Sequence, residues 1–261
     1  MPTVTSKDGT PIAFDRSGTG PAVLLVDGAL CSRSFGPMGP LAAQLTPHFT
    51  VYTYDRRGRG DSGDTQPFAV EREIEDIEAF INEAGGSTFV YGISSGAALA
   101  FEAARMLPTK ITKLALYEPP YTVDPDRVQG FNEYRVRLTE LLAEGRKGDA
   151  VELMMRLVGA GDEGVARMRQ APIWPLFEAV APTLAYDAAA LGDSSVPTDR
   201  AASVTIPTLV MAGGATFPFI RQAAQALAGA LPHAQHRELE GQTHEVAAEA
   251  LAPVLTEFFA R

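Results

Sequence analysis

In Thr88-Phe89-Val90-Tyr91-Gly92-Ile93-Ser94-Ser95-Gly96-Ala97-Ala98-Leu99-Ala100-Phe101-Glu102-Ala103-Ala104 a β-branched and aromatic run gives way, across five residues, to a strongly helix-forming one. The first part reads as a buried strand and the last as a helix. A serine at the sharp turn between such elements is held in a strained backbone conformation, with its hydroxyl exposed above the sheet. Gly92 and Gly96 lack the Cβ atoms that would keep the helix and the neighbouring strands apart. The pattern Gly-x-Ser-x-Gly is common by chance and gains its meaning from the strand before it and the helix after it. The alternative is a glycine-rich turn with no chemistry.

Working outward, short β-rich runs alternate with helical ones, as in a mostly parallel sheet with helices on both faces. Strands are expected at Val4–Ser6 and Ile12–Asp15, flanking the hairpin signal Asp8-Gly9, then at Ala22–Val26, Thr50–Tyr54, Ser87–Ile93, Ile111–Tyr117, Thr208–Ala212 and Gln235–Leu239. Helices are expected near Leu41–Leu45 and over Ala247–Phe259. A third starts at Val70, where Val70, Ile74, Ile77, Phe80 and Ile81 recur at helical spacing.

Between Pro119 and about Thr205 the strand rhythm stops. Phe131, Tyr134, Leu138, Leu141 and Leu142 fall on one helical face, as do Val151, Met154, Met155 and Val158. The expected organisation is a core of residues 1–119 and 206–261, with residues 120–205 inserted as a helical cap over the carboxyl edge of the sheet, where ligands bind in open α/β sheets. Met154, Met155, Met168, Trp174, Phe177 and Tyr186 are candidates for the cap's own core, and some of them for an apolar pocket wall.

The chain has 261 residues, 46% hydrophobic and 21% charged, enough for one large α/β domain with an insertion. Its net charge of −10 argues against nucleic acid as a partner. The densest basic run, Arg56-Arg57-Gly58-Arg59, is flanked by Asp55 and Asp61. One cysteine, Cys31, excludes an internal disulfide and suits a reducing compartment. The N-terminus has no apolar core of a signal peptide, and no apolar run approaches the roughly 20 residues that span a bilayer. A cytoplasmic protein, a monomer or homodimer acting on a small molecule without a membrane partner, is expected.

With these elements in place the chain resembles the α/β-hydrolase superfamily, in its lidded serine hydrolase branch, over essentially its full length. The matching features are Gly92–Gly96, the run Asp55-Arg56-Arg57-Gly58-Arg59-Gly60-Asp61-Ser62 after the fourth strand, the helical insertion, and Gly241-Gln242-Thr243-His244 after the last strand. The resemblance implies an eight-stranded, mostly parallel sheet and a catalytic order of nucleophile, acid, histidine. Ser94 and His244 take the first and third places. His48 and His233 each follow a proline near the surface, and His236 lies within a strand. Only His244 sits in a loop at a strand's carboxyl end, where an imidazole reaches the serine and takes its proton. A buried structural histidine is the alternative.

The acid departs from the commonest family pattern, which places Asp in the loop after the penultimate strand. That loop reads Gly213-Gly214-Ala215-Thr216-Phe217-Pro218, and no Asp or Glu occurs between Arg200 and Arg237. Strand Ile111–Tyr117 instead ends in Glu118, followed by Pro119-Pro120. Haloalkane dehalogenases, one branch of the superfamily, supply their acid from this strand end, so Glu118 is the candidate partner of His244. Open alternatives are a Ser–His dyad, a cap acid such as Asp187 or Asp193, and a purely structural Glu118 at the cap hinge.

The resemblance places the oxyanion hole at the backbone N–H groups of Ser95 and Ala29, the latter in the loop Val26-Asp27-Gly28-Ala29-Leu30. Family members commonly carry His where Asp27 stands. An ionised carboxylate about 8 Å from the hole would oppose the oxyanion by about 2 kcal/mol at an effective dielectric near 20. Asp27 is therefore expected to point away and bind loop N–H groups, or to be protonated; contact with a polar substrate group is the alternative. Cys31 is expected to pack rather than react. Candidate pocket residues are Asp27, Leu30, Met154, Trp174, Phe177 and Phe217, and no cofactor or metal is expected. These features imply a serine hydrolase for a small to medium apolar carboxylic ester, thioester or lactone. Carbon–carbon hydrolysis, lyase or perhydrolase chemistry stays open. So does a small-molecule binding protein or sensor, kept alive by the empty acid position and Asp27.

Overall fold

Val23 and Leu25 face one side of the central sheet, Leu24 and Val26 the other, and the same alternation in neighbouring strands divides the interior into two cores. The computed structural model describes residues 1–260. Its strands are β1 (Thr3–Thr5), β2 (Pro11–Ser17), β3 (Ala22–Val26), β4 (Thr50–Tyr54), β5 (Thr88–Ile93), β6 (Ile111–Tyr117), β7 (Thr208–Gly213) and β8 (Ala234–Leu239). They form one eight-stranded sheet in the order β1-β2-β4-β3-β5-β6-β7-β8. The pairs β1/β2 and β2/β4 are antiparallel and all others parallel.

One core lies under α1 (Met38–Leu45) and α11 (Ala248–Ala260), where Leu41, Leu45, Leu251, Leu255 and Phe259 meet Leu25, Tyr91 and Met211. The other lies under α2 (Val70–Glu83), α3 (Ser95–Met106) and α10 (Pro218–Ala230). The α2 stripe of Ile74, Ile77, Phe80 and Ile81 is buried, as its spacing predicts. Helix α10 was not anticipated. It opens with Pro218 in its first turn and buries Ile220, Ala223, Ala224 and Leu227, a helical stripe masked by small residues.

Between β6 and β7 come α4 (Pro125–Ala143), α5 (Lys147–Leu157), α6 (Asp162–Arg169), α7 (Trp174–Val180), α8 (Leu184–Leu191) and α9 (Thr198–Ala201). The two ends of this helical insertion meet. The Thr122 N–H donates to Ser194 O at 2.8 Å and the Val196 N–H to Thr122 O at 3.2 Å, so the segment leaves and rejoins the sheet through one short bridge. Phe131, Tyr134, Leu138 and Leu141 of α4 are buried.

The basic run after β4 lies inside the protein. Arg56, Arg57 and Arg59 are at most 1% exposed, because each meets carboxylates. Glu73 and Asp76 on the inner face of α2 pair with Arg56 and Arg57, and Asp187 on α8 pairs with Arg56 and Arg59. No described helix is long and apolar enough to cross a membrane.

Candidate active site

Ser94 stands at the carboxyl end of β5 with φ +55° and ψ −131°, a conformation that costs a non-glycine residue on the order of 1–3 kcal/mol. The surroundings enforce it. Its N–H donates to Tyr117 O at 3.0 Å and its carbonyl accepts from Ala97 N–H at 2.9 Å, so strand ladder and helix both claim this residue. A Cβ on Gly92 would meet Gly96 O at 2.5 Å, and one on Gly96 would collide with the carbonyl oxygens of Val26 and Asp27. The turn is possible only because both flanking residues are glycines.

His244 follows β8 and its side chain is 48% exposed. Its Nδ1 lies 2.7 Å from Glu118 Oε2. Glu118 is fully buried, with φ +47°, at the end of β6 where the Glu118 N–H still donates to Met211 O at 2.9 Å. Its carboxylate is held from the neighbouring strand: the Gly213 N–H donates to Oε1 at 2.8 Å and the Thr216 hydroxyl to Oε2 at 3.2 Å. The loop after β7, which has no acid of its own, thus anchors the acid that arrives from β6. The Tyr117 hydroxyl donates to Thr243 O at 2.6 Å and fixes the loop one residue before His244. This contact was not foreseen, since Tyr117 reads only as a strand residue. The two cap acids offered as alternatives are engaged elsewhere. Asp187 binds arginines, and Asp193 is exposed and accepts from the N–H and hydroxyl of Ser195.

The loop after β3 is fixed peptide by peptide. Arg56 donates to Asp27 O at 3.2 Å, the Gly28 N–H to Asp27 Oδ1 at 2.8 Å, and Arg59 to Gly28 O at 2.5 Å. Asp27 is 4% exposed and turned into this loop, as expected of a residue that binds loop N–H groups. Burial pushes its carboxyl up to about 6, against the opposing pull of the Gly28 N–H and Arg59. Burial, with Asp27 nearby, also pushes the Cys31 thiol well above its ordinary range. Leu30, next in the loop, has φ +58°.

A cavity of about 340 Å³ is lined by Ser94, Ser95, Ala29, Glu118 and His244 together. Its lining also includes apolar side chains of the insertion and α10, among them Phe131, Met154, Leu191 and Ile220. Of the six pocket residues expected from sequence, Met154 and Phe217 line the cavity and four do not. Asp27 is held by its own loop, and Leu30 is buried in the main core. Trp174 is buried within the insertion under Arg169, 5.3 Å from its ring. Phe177 packs on Phe35 at 6.2 Å between ring centroids. No residue of α7 lines the cavity. Among the described residues no group of three or more His, Cys, Asp or Glu side chains is arranged to hold a metal ion.

The sequence model of the alpha/beta hydrolase family matches residues 12–255, so this chain belongs to that family. An alpha/beta hydrolase from Sphaerobacter thermophilus is 57% identical, with a TM-score of 0.89 over 99% of this chain and 100% of that one. A thermophilic esterase from Thermogutta terrifontis shares the fold at 24% identity and a TM-score of 0.74, over 99% of this chain and 97% of the esterase. The enol-lactonase from Burkholderia xenovorans does so at 21% identity and a TM-score of 0.76, over all of both chains.

Proposed function

We propose that this chain is a cofactor-independent serine hydrolase that cleaves small to medium apolar carboxylic esters, thioesters or lactones through an acyl-enzyme on Ser94. The observation that carries this reading is the 2.7 Å contact between Glu118 Oε2 and His244 Nδ1 on the wall of a cavity that Ser94 shares. A carboxylate only accepts, so this pairing keeps the ring proton on Nδ1 and leaves Nε2 as the base. Nε2 takes the Ser94 proton as Oγ attacks the carbonyl, and Glu118 stabilises the imidazolium that forms. The proton then passes to the leaving oxygen or sulfur. Water, activated by the same Nε2, releases the acid and restores Ser94.

The negative charge of each tetrahedral intermediate is assigned to the N–H groups of Ala29 and Ser95. Both residues line the cavity, and neither N–H has a protein acceptor among the described residues. Each such donor is worth about 3 kcal/mol of barrier. The volume of about 340 Å³ sits at the small end of ligand pockets, and the mostly apolar lining suits an acyl or alkyl group without charge. Because Glu118 supplies the carboxylate missing after β7, the empty acid position no longer favours a binding protein over an enzyme.

A fluorophosphonate probe tests the reading directly. The wild type is expected to be labelled on Ser94, and Ser94→Ala and His244→Ala to lose the label. A panel of p-nitrophenyl esters of increasing chain length, with lactones alongside, then reports the substrate class. A folded wild type that neither labels nor turns over any of them would point to the binding-protein alternative.

A further inference from the structure

Among the described residues, Asp187 is the one of the insertion joined by hydrogen bonds both to the residue after the nucleophile and to the arginines that hold the loop after β3. It is 4% exposed, lines the cavity and comes from α8. Its Oδ1 accepts from the Ser95 hydroxyl at 2.8 Å and from Arg56 at 2.6 Å, while Arg59 reaches both of its oxygens, at 2.9 and 2.8 Å. Burial would raise this carboxyl, but Arg59 and Arg56 outweigh it and hold it below the ordinary range.

The same two guanidinium groups reach the loop carbonyls. A trans peptide is planar, with its C=O and N–H pointing in opposite directions. Arg59 donates to Gly28 O, so the N–H of that same peptide unit, which belongs to Ala29, is turned away from Arg59. Arg56 fixes the preceding unit through Asp27 O, and Asp27 Oδ1 takes the Gly28 N–H. The peptide between Gly28 and Ala29 cannot flip without breaking the Arg59 contact.

We propose that Asp187 is a positioning residue for the oxyanion hole, setting the Ser95 N–H through the Ser95 hydroxyl and the Ala29 N–H through Arg56 and Arg59. A helix of the insertion thereby completes the hole of the core, and catalysis depends on α8 being seated. This rests on the serine hydrolase reading above.

The test separates the two. Asp187→Asn keeps the side-chain shape and removes the charge that pairs with Arg59 and that shares Arg56 with Glu73; Ser95→Ala keeps the backbone N–H and removes only the hydroxyl anchor. Each is compared with the wild type for kcat and KM on a short p-nitrophenyl ester. Affinity is measured for an alkylboronic acid, whose serine adduct is tetrahedral and anionic, and for the matching alkyl alcohol, which is neither. For Asp187→Asn, kcat and boronate affinity are expected to fall together by about 100-fold, with alcohol affinity and KM within about twofold. For Ser95→Ala the parallel loss is about 10-fold. Boronate and alcohol affinities weakening together, or a boronate affinity within twofold of wild type in both variants, would overturn the role. If Asp187→Asn does not fold, Ser95→Ala decides alone by the same criterion. A wild type with no esterase or lactonase turnover sinks the underlying reading and this role with it.

Discussion

Glu118 and His244 meet at 2.7 Å although they follow β6 and β8, two strands that are not neighbours in the sheet. Strand β7 lies between them and ends in Gly213, where a side chain has no room beside the loop that carries His244. A Cβ there would crowd Gln242 O and stand 2.9 Å from the Tyr117 hydroxyl oxygen. Strands are spaced about 4.8 Å apart, so the carboxylate has to extend across most of one strand to reach the imidazole. A glutamate spans this distance with one methylene more than an aspartate has.

Two substitutions follow from that geometry. Glu118→Gln is expected to lower kcat by about 10³–10⁴-fold with the fold intact, because an amide no longer enforces the Nδ1–H tautomer or balances the imidazolium. Glu118→Asp keeps the charge but withdraws it, and a loss of at least about 10-fold is expected. Steady-state kinetics with circular dichroism as the control decide both; near-normal turnover in Glu118→Gln would remove this carboxylate from the mechanism.

Tyr117→Phe removes the hydroxyl that holds Thr243 O and with it the backbone beside His244. Its stability is expected to drop by about 1 kcal/mol, the usual net worth of one such bond. Activity should fall severalfold with KM little changed. Urea unfolding and kinetics on the same preparation check the pair of effects.

Asp27 makes stability depend on pH. Its carboxyl is raised from 3.8 to about 6 in the folded protein, chiefly by burial, so between these values the folded state binds more protons than the unfolded one. Stability therefore falls as pH rises through this window and stays lower above it, by about 3 kcal/mol. Asp27→Asn lacks this dependence. Relative to the wild type, the variant should gain stability between pH 4 and pH 7, and urea titrations at the two pH values measure the difference directly. A constant difference would contradict the raised carboxyl.

Gly96→Ala inserts a Cβ against backbone oxygens of Val26 and Asp27, which cannot rotate aside as a side chain can. A loss of about 3 kcal/mol or failure to fold is expected. Gly130→Ala, where nothing lies within 4 Å, is the matched control and should be neutral or stabilising. Thermal unfolding of the two variants makes the comparison.

Cys31 should resist alkylation. With its thiol pushed up by burial and Asp27, little thiolate forms at pH 8, and iodoacetamide is expected to modify it only after denaturation. Mass spectrometry of native and unfolded samples reads the outcome; rapid native labelling would mean the thiol is more open and more acidic than its surroundings dictate.

The strands and the turn at Ser94 are legible in the sequence because they follow local rules. β3, β4 and β6 have the bounds that their apolar runs predict, and glycines mark the elbow. Glu118 is readable because an acid at a strand end before two prolines contrasts with a loop that has none. Burial of Arg56, Arg57 and Arg59 is not readable in this way. A basic run signals solvent unless its partners are known, and those partners are Glu73, Asp76 and Asp187, the last 131 residues beyond Arg56. Pocket walls fail for the same reason. Trp174 and Phe177 have the composition of a wall, but α7 packs away from the cavity, against Arg169 and Phe35, and that placement depends on elements distant in sequence.

Because Glu118 reaches His244 from the end of β6, the turn after β7 carries no carboxylate of its own. Gly213 and Thr216 hold Glu118, whereas Phe217 and Phe219 of the same turn and the helix after it border the cavity and make none of those hydrogen bonds. Those two positions form a ready-made cassette. Libraries built there are expected to change which ligands the cavity accepts while leaving the Glu118–His244 contact in place.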